Sequence, residues 1–146
     1  MGIGGFPSSH RLSLDVLGMH GAQYAIIAIN EADLVIALGV RFDDRVTGKV
    51  SDFICHGRII HTDIDRTELN KNKTVTLPIC ADVKTGLSQL LAADPDIRSV
   101  WQKYCAALKR DFPYPIREET GISPQKAISL LSEMTNGEAI VSLGGY

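Results

Sequence analysis

A short apolar run that ends in a burst of charge, and then occurs a second time, most constrains what this chain can fold into. Leu34, Val35, Ile36, Ala37 and Leu38 lead to Gly39, and the chain then turns abruptly polar with Arg41, Asp43, Asp44 and Arg45. Residues 58–65, RIIHTDID, repeat the pattern: an apolar run closed by acids. Runs of this length bounded by turn residues read as buried strands. In an open parallel sheet, ligands collect outside the carboxyl ends of the strands, where loops diverge and charged side chains can face a crevice. Both runs therefore predict a ligand-facing edge. Residues 75–80 supply a third strand, and Pro78 inside it argues for an edge position or an early strand end.

Helical patterns alternate with these strands. Residues 19–32 carry Tyr24, Ile26, Ile27, Ile29 and several alanines, which fits a helix buried over most of its circumference. Val50, Phe53 and Ile54 give residues 46–55 an apolar stripe, and residues 68–72 predict one or two helical turns. Asp82 is a good N-cap for a helix through Leu91, with Val83, Leu87, Leu90 and Leu91 on one face. Ile97, Val100, Trp101, Tyr104, Cys105 and Leu108 set a further helix over 97–110. The alternation is that of an α/β fold, a parallel sheet flanked by helices on both faces. Beyond a proline-bearing linker at 111–122 the pattern restarts: Ser123 caps a helix with Pro124 at its first position, Asn136 and Gly137 stop it, and residues 138–143 read as a buried strand. One helix and one strand cannot form a core. The chain also opens in a Gly/Ser-rich loop rather than on a strand. The reading is of an α/β domain over 1–110 lacking its first strand, and the opening of a second domain over 123–146, incomplete at both ends.

Composition narrows the function classes. Hydrophobic residues at 45% and charged residues at 22% are those of a globular domain rather than a disordered one. A net charge of −2, with no long Lys/Arg cluster, gives no footprint for nucleic acid. No segment approaches the roughly 18 apolar residues of a membrane span, and the amino terminus lacks a secretory pattern. Cys55, Cys80 and Cys105 are far apart with no C-x-x-C pair, so free thiols and a cytoplasmic location are expected. The four histidines show no ligand spacing, so no metal site is expected, and no side chain has an activating partner that would make it a nucleophile. Asp63, 24 residues after Gly39, stands roughly where a mononucleotide fold sets an acid on a ribose hydroxyl, but serves equally as a turn or cap residue. The Arg41 to Arg45 cluster reads equally as solvated ion pairs. Met19 between glycines reads as a pocket lining or as a core methionine at a helix start.

LSLDVLGMHG (12–21), ADLVIALGVRFDDRVTGK (32–49), HTDIDRTELNKNK (61–73) and ICADVK (79–84) resemble, in order and spacing, the central domain of the acetolactate synthase (acetohydroxyacid synthase) catalytic subunit. ISPQKAISLLSEMTNGEAIVSLG is similar to the start of that family's third, diphosphate-binding domain. The resemblance implies a Rossmann-like central domain. It implies an enzyme that uses thiamine diphosphate and magnesium to decarboxylate pyruvate and joins the product to a second 2-oxo acid, in isoleucine and valine biosynthesis. It also implies flavin adenine dinucleotide, with no redox role in the net reaction, a homo-oligomer and a possible regulatory subunit. Position by position it implies flavin contacts from Leu17, Gly18, Met19 and His20, from Gly39, Val40, Arg41, Phe42 and Asp43, from Asp63 and Ile64, and from Asp82 and Val83. Met19, Asp44 and Arg45 match positions near the substrate channel. The family's activating glutamate, in its first domain, and its thiamine and metal ligands, further along the third, have no counterpart here. The chain by itself is therefore expected to be inactive as a synthase. The alternative is a truncated nucleotide-binding or subunit-association module without catalysis.

Overall fold

The structure, a computed structural model, describes residues 4–92, 99–113 and 121–141. They fall into two units, 1–113 and 114–146. The larger contains three strands, β1 (Leu34–Leu38), β2 (Arg58–Asp63) and β3 (Leu77–Cys80), in one sheet of order β1-β2-β3. Both pairings are parallel, with Leu34 beside Arg58 and Leu38 beside Thr62, then Ile60 beside Leu77 and Asp63 beside Cys80. All three carboxyl ends consequently lie on one edge of the sheet. Pro78 sits in an edge strand, as its missing N–H requires.

Side chains alternate across the sheet, so its two faces can be assigned. Ala37, Ile59 and the fully buried His61 line the face that packs against Phe42, Phe53 and Ile54, with Ile29 and Val35 at the margin. Thr62 lies on the other face, under helix α3 (Val83–Ala92). Phe42 and Ile54 both adopt φ of 50°. A left-handed residue costs about 1–2 kcal/mol, whereas burying Phe or Ile contributes about 1.5–3 kcal/mol. Packing outweighs the backbone penalty, so the chain folds back over the sheet at these two points.

Helix α1 (Gln23–Glu31) joins the sheet core through Ile29 and a second core through Tyr24, Ala25 and Ala28, together with Ala22 just before it. That second core is completed by Leu108, Tyr104 and Cys105 of α4 (Ser99–Asp111). Helix α4 thus packs on α1, and Tyr104 donates a hydrogen bond to Glu31 across the pair. Ile97, expected at the start of α4, lies outside the described residues.

Five sequence expectations need correction, one of them the helical turns expected over 68–72, where the chain forms only a 3-10 turn at Arg66–Glu68 that Leu69 ends. The helix expected over 19–32 starts only at Gln23, because Gly18 at φ 113° and hydrogen bonds from Gly21 N to Gly18 O and from Ala22 N to Val16 O turn the preceding residues into a strap. The helix expected over 46–55 is split into α2 (Asp44–Thr47) and a 3-10 turn (Val50–Asp52) by Gly48, whose φ of 61° and ψ of −124° no helix continues through. The leucine face expected to seat α3 is largely in solvent, with Leu91 75% exposed, and the helix instead approaches the sheet through Gly86, where a Cβ would lie 3.1 Å from Thr62 Cγ2. Residues 138–141 are not a strand: Ile140 is fully exposed, and no neighbouring strand among the described residues offers a ladder. The rest of that expected strand, 142–143, lies outside the described residues.

The smaller unit is built on α5 (Pro124–Met134). The Ser123 hydroxyl accepts from Lys126 N at 3.2 Å and proline occupies the first turn, where its missing N–H is harmless. Asn136 and Gly137 end it in left-handed conformations, with Gly137 N donating to Ser132 O.

Candidate functional site

The parallel register brings three chain segments to one edge. Gly39 N donates to Thr62 O at 2.8 Å and Ala81 N to Asp63 O at 3.0 Å, so the ladder runs just past the strands and holds Gly39, Asp63 and Asp82 along a common shelf. Gly39 is exposed at φ 62°, and a Cβ there would have only Val83 Cγ2, 3.9 Å away, nearby. A ligand's backbone-facing atoms can therefore come close at this point.

A fourth segment arrives through the strap. Met19 N donates to Arg45 O at 2.9 Å, and a Cβ on Gly18 would stand 2.5 Å from that same oxygen. Glycine at 18 permits the contact. Met19, 68% exposed, and exposed His20 are thereby carried beside the segment that follows β1, while Leu17 packs into both cores.

The three strand-end acids are each ordered on one oxygen by their own loop. Asp43 Oδ1 accepts from Val46 N at 3.1 Å and caps α2, Asp63 Oδ1 accepts from Asp65 N at 2.8 Å, and Asp82 Oδ1 accepts from Lys84 N at 2.9 Å. The second oxygen of each has no partner among the described residues. Asp63 is almost wholly buried as a residue, but its second oxygen is not closed off from solvent and stays accessible to a donor-bearing ligand. Arg41, Asp44 and Arg45 are exposed, and no salt bridge joins them to one another or to Asp43. The ion-pair reading of this cluster is not realised, and among the described residues no carboxylate pairs with either guanidinium group. Hydrogen bonds from the Thr67 hydroxyl and amide hold the Asp65 carboxyl below its ordinary value, and the charges of Lys71 and Arg41 act the same way.

Val40 is half-buried and packs beside the sheet core, Ile64 and Asp82 are exposed, and Val83 opens α3. Phe42 is different. Its side chain is 3% exposed and meets the His61 ring edge-on at 5.0 Å, so it belongs to the core. Sequence reading by strand ends missed Asn72, whose Nδ2 donates to Arg41 O at 2.9 Å from 31 residues away, and no local signal marks it. Two cavities lie elsewhere, one of about 230 Å³ between α1, β1 and Trp101 and one of about 440 Å³ beside the outer edge of β3 at Arg66, Pro78 and Cys80. Among the described residues no three His, Cys, Asp or Glu side chains gather to hold a metal.

A parallel α/β sheet with acids, a glycine and arginines gathered at its carboxyl edge has the layout in which open α/β sheets collect ligands. Residues 1–90 match the family described as the thiamine pyrophosphate enzyme central domain, and the chain belongs to that family. Its relatives include proteins named acetolactate synthase. It is 50% identical to the probable acetolactate synthase 2, chloroplastic, of Oryza sativa subsp. japonica, 48% identical to acetolactate synthase 1, chloroplastic, of Zea mays, and 43% identical to acetolactate synthase 2, chloroplastic, of Nicotiana tabacum. Each match covers 99% of this chain and 23% or 24% of the relative, so the chain spans about a quarter of the length of these proteins.

Proposed function

We propose that this chain supplies the nucleotide shelf of an acetolactate synthase catalytic subunit and that the shelf binds flavin adenine dinucleotide. The convergence of Gly39, Asp63 and Asp82 with the Met19 strap on one sheet edge carries the reading. The free oxygens of Asp63 and Asp82 suit ribose hydroxyl donors, Arg41 and Arg45 suit a diphosphate, and Gly39 allows close approach. Val40, Phe42, Ile64 and Val83 offer backbone and apolar surface along the same edge, and Leu17, Gly18 and His20 line its strap side. In this reading residues 1–110 are the flavin-nucleotide domain and 123–146 open the diphosphate-binding domain.

The reaction proposed for the whole enzyme is decarboxylation of pyruvate and condensation with a second 2-oxo acid. Thiamine diphosphate supplies the electron sink for that chemistry when bound. The described residues form no metal-binding group and do not fit its metal, so this chain's part is the flavin shelf, with Met19, Asp44 and Arg45 bordering the substrate path. Homo-oligomerisation is proposed on the exposed apolar side chains Leu34 and Ile36 of edge strand β1.

Titration of the protein with flavin, followed by flavin fluorescence, tests the shelf. Saturable binding is expected, weakened about 10- to 100-fold by Arg41→Ala and by Asp63→Asn, since each removes a hydrogen bond to a charged group. Arg110→Ala, on α4, serves as the control. No binding by folded protein, or binding indifferent to both changes, would overturn the assignment. An assay for acetolactate from pyruvate is expected to show no turnover by this chain alone.

A further inference from the structure

Asn72 and Lys73 lie in an exposed stretch of alternating lysine and asparagine, a pattern that reads as solvated charge. Instead both side chains reach back to the segment that follows β1. Asn72 Nδ2 donates to Arg41 O at 2.9 Å, while Lys73 Nζ donates to Val50 O at 3.1 Å and to Phe53 O at 2.6 Å. The two neighbours thus fasten opposite ends of residues 41–53. That segment needs fastening. Its one α-helix is four residues long, below what stands alone in water, and it contains left-handed breaks at Phe42 and Gly48. The loop that presents Asn72 is itself braced, by Asn70 Oδ1 accepting from Val75 N at 2.9 Å and by Lys71 pairing with Glu68 at 2.8 Å.

We infer that Asn72 is a positioning residue for the shelf: its amide holds the Arg41 carbonyl and so sets where Arg41 stands relative to Asp63, while Lys73 anchors the far end of the same segment. The inference rests on the dinucleotide reading of the shelf. It assigns Asn72 no ligand contact. The strap fixes residues 41–53 from one side at Arg45 O, and Asn72 and Lys73 fix them from the other. Loss of the Asn72 donor lets the Arg41 backbone swing without unpacking Phe42 or Phe53.

The test uses Asn72→Ala, Asn72→Asp and Asn72→Gln in the 146-residue chain, with Arg110→Ala, remote on α4, as control. Asn72→Asp is close in size but turns an acceptor toward an acceptor, whereas Asn72→Gln keeps an amide donor. Flavin affinity is expected to fall about three- to tenfold in Asn72→Ala and Asn72→Asp, the loss of one hydrogen bond, and to be partly restored in Asn72→Gln. Arg110→Ala, on α4, binds as the parent does. A purely structural role would move the unfolding midpoint and leave the affinity of the folded protein alone. The second readout is amide hydrogen exchange, which needs no flavin. Val46, Thr47 and Gly48, whose amides bond to Asp43 O and Asp44 O, are expected to exchange about three- to tenfold faster in Asn72→Ala, with the β2 amides unchanged. If the parent binds no flavin, the shelf reading fails and exchange decides this inference. If the parent binds and Asn72→Ala binds equally well, or if exchange over 46–48 is unaltered, Asn72 does not position the segment.

Discussion

Gly18→Ala strikes the joint between the strap and the segment after β1. The added Cβ would stand 2.5 Å from Arg45 O, a backbone atom that cannot rotate away, and φ at this residue is 113°. Holding alanine in so sparsely populated a region costs about 1–3 kcal/mol. Relieving the clash by lifting the strap breaks the bond from Met19 N to Arg45 O, worth about 1 kcal/mol. The expected loss is therefore about 2–4 kcal/mol. Gly48→Ala is the comparison, because Gly48 also has positive φ, 61°, but nothing lies within 4 Å of its would-be Cβ. It incurs the conformational cost alone. Urea unfolding can be followed by Trp101, the single tryptophan, which lies in α4 of the same unit. Gly18→Ala should cost about 1 kcal/mol more than Gly48→Ala, and the Met19 amide should exchange faster only in the former. Equal costs with an unaltered Met19 amide would mean that the strap does not rest on Arg45, and the four-segment shelf would fall with it.

Thr62→Val should stabilise the larger unit by about 1 kcal/mol, since the Thr62 hydroxyl is fully buried with no hydrogen-bond partner and valine keeps its shape; a lower thermal midpoint would contradict this. Asn30→Ala should cost about 1–3 kcal/mol in chemical unfolding, because Asn30 Oδ1 accepts from Ile54 N at 2.9 Å and its loss leaves that donor unsatisfied; Asn30→Asp, which keeps the acceptor, should cost less, and the reverse order would count against the contact. The hydrogen bond to Glu31 holds the Tyr104 hydroxyl above its ordinary value, with burial and the Glu31 charge acting the same way. A raised folded value means a contribution fully present below the unfolded tyrosine value and lost as pH rises through the folded one. The seating of α4 on α1 should therefore loosen only on the alkaline side, with Trp101 fluorescence, 5.5 Å from the Tyr104 ring, as the reporter; Tyr104→Phe should abolish that alkaline transition, and its persistence would assign the transition to another group.

Strand ends were legible in the sequence because burial and solvation leave local marks there. An apolar run must stop where the sheet stops, and the residues beyond it must satisfy their own backbone. Hence Asp82 caps α3 where the pattern set it, and Pro78 lies in an edge strand. Periodicity failed wherever packing was decided by a partner far along the chain. The stripe of Val50, Phe53 and Ile54 has helical spacing, yet Phe53 and Ile54 are buried through two left-handed turns and Val50 stays half-exposed, because the gain from covering Ile59 and His61 exceeds the cost of the turns. Residues 138–141 are apolar enough for a strand, but pattern cannot supply the neighbour that a ladder needs. Phe42 shows the same limit at the site. Its place in the motif implied a ligand contact, and its side chain is core. Asn72 is the converse, a residue that local rules assign to solvent and that spans 31 positions to reach Arg41. Chemistry-bearing residues of such a shelf can be read one strand at a time. Their relative placement is set by Gly18, Asn30, Asn72 and Lys73, through contacts that exist only once the chain has folded.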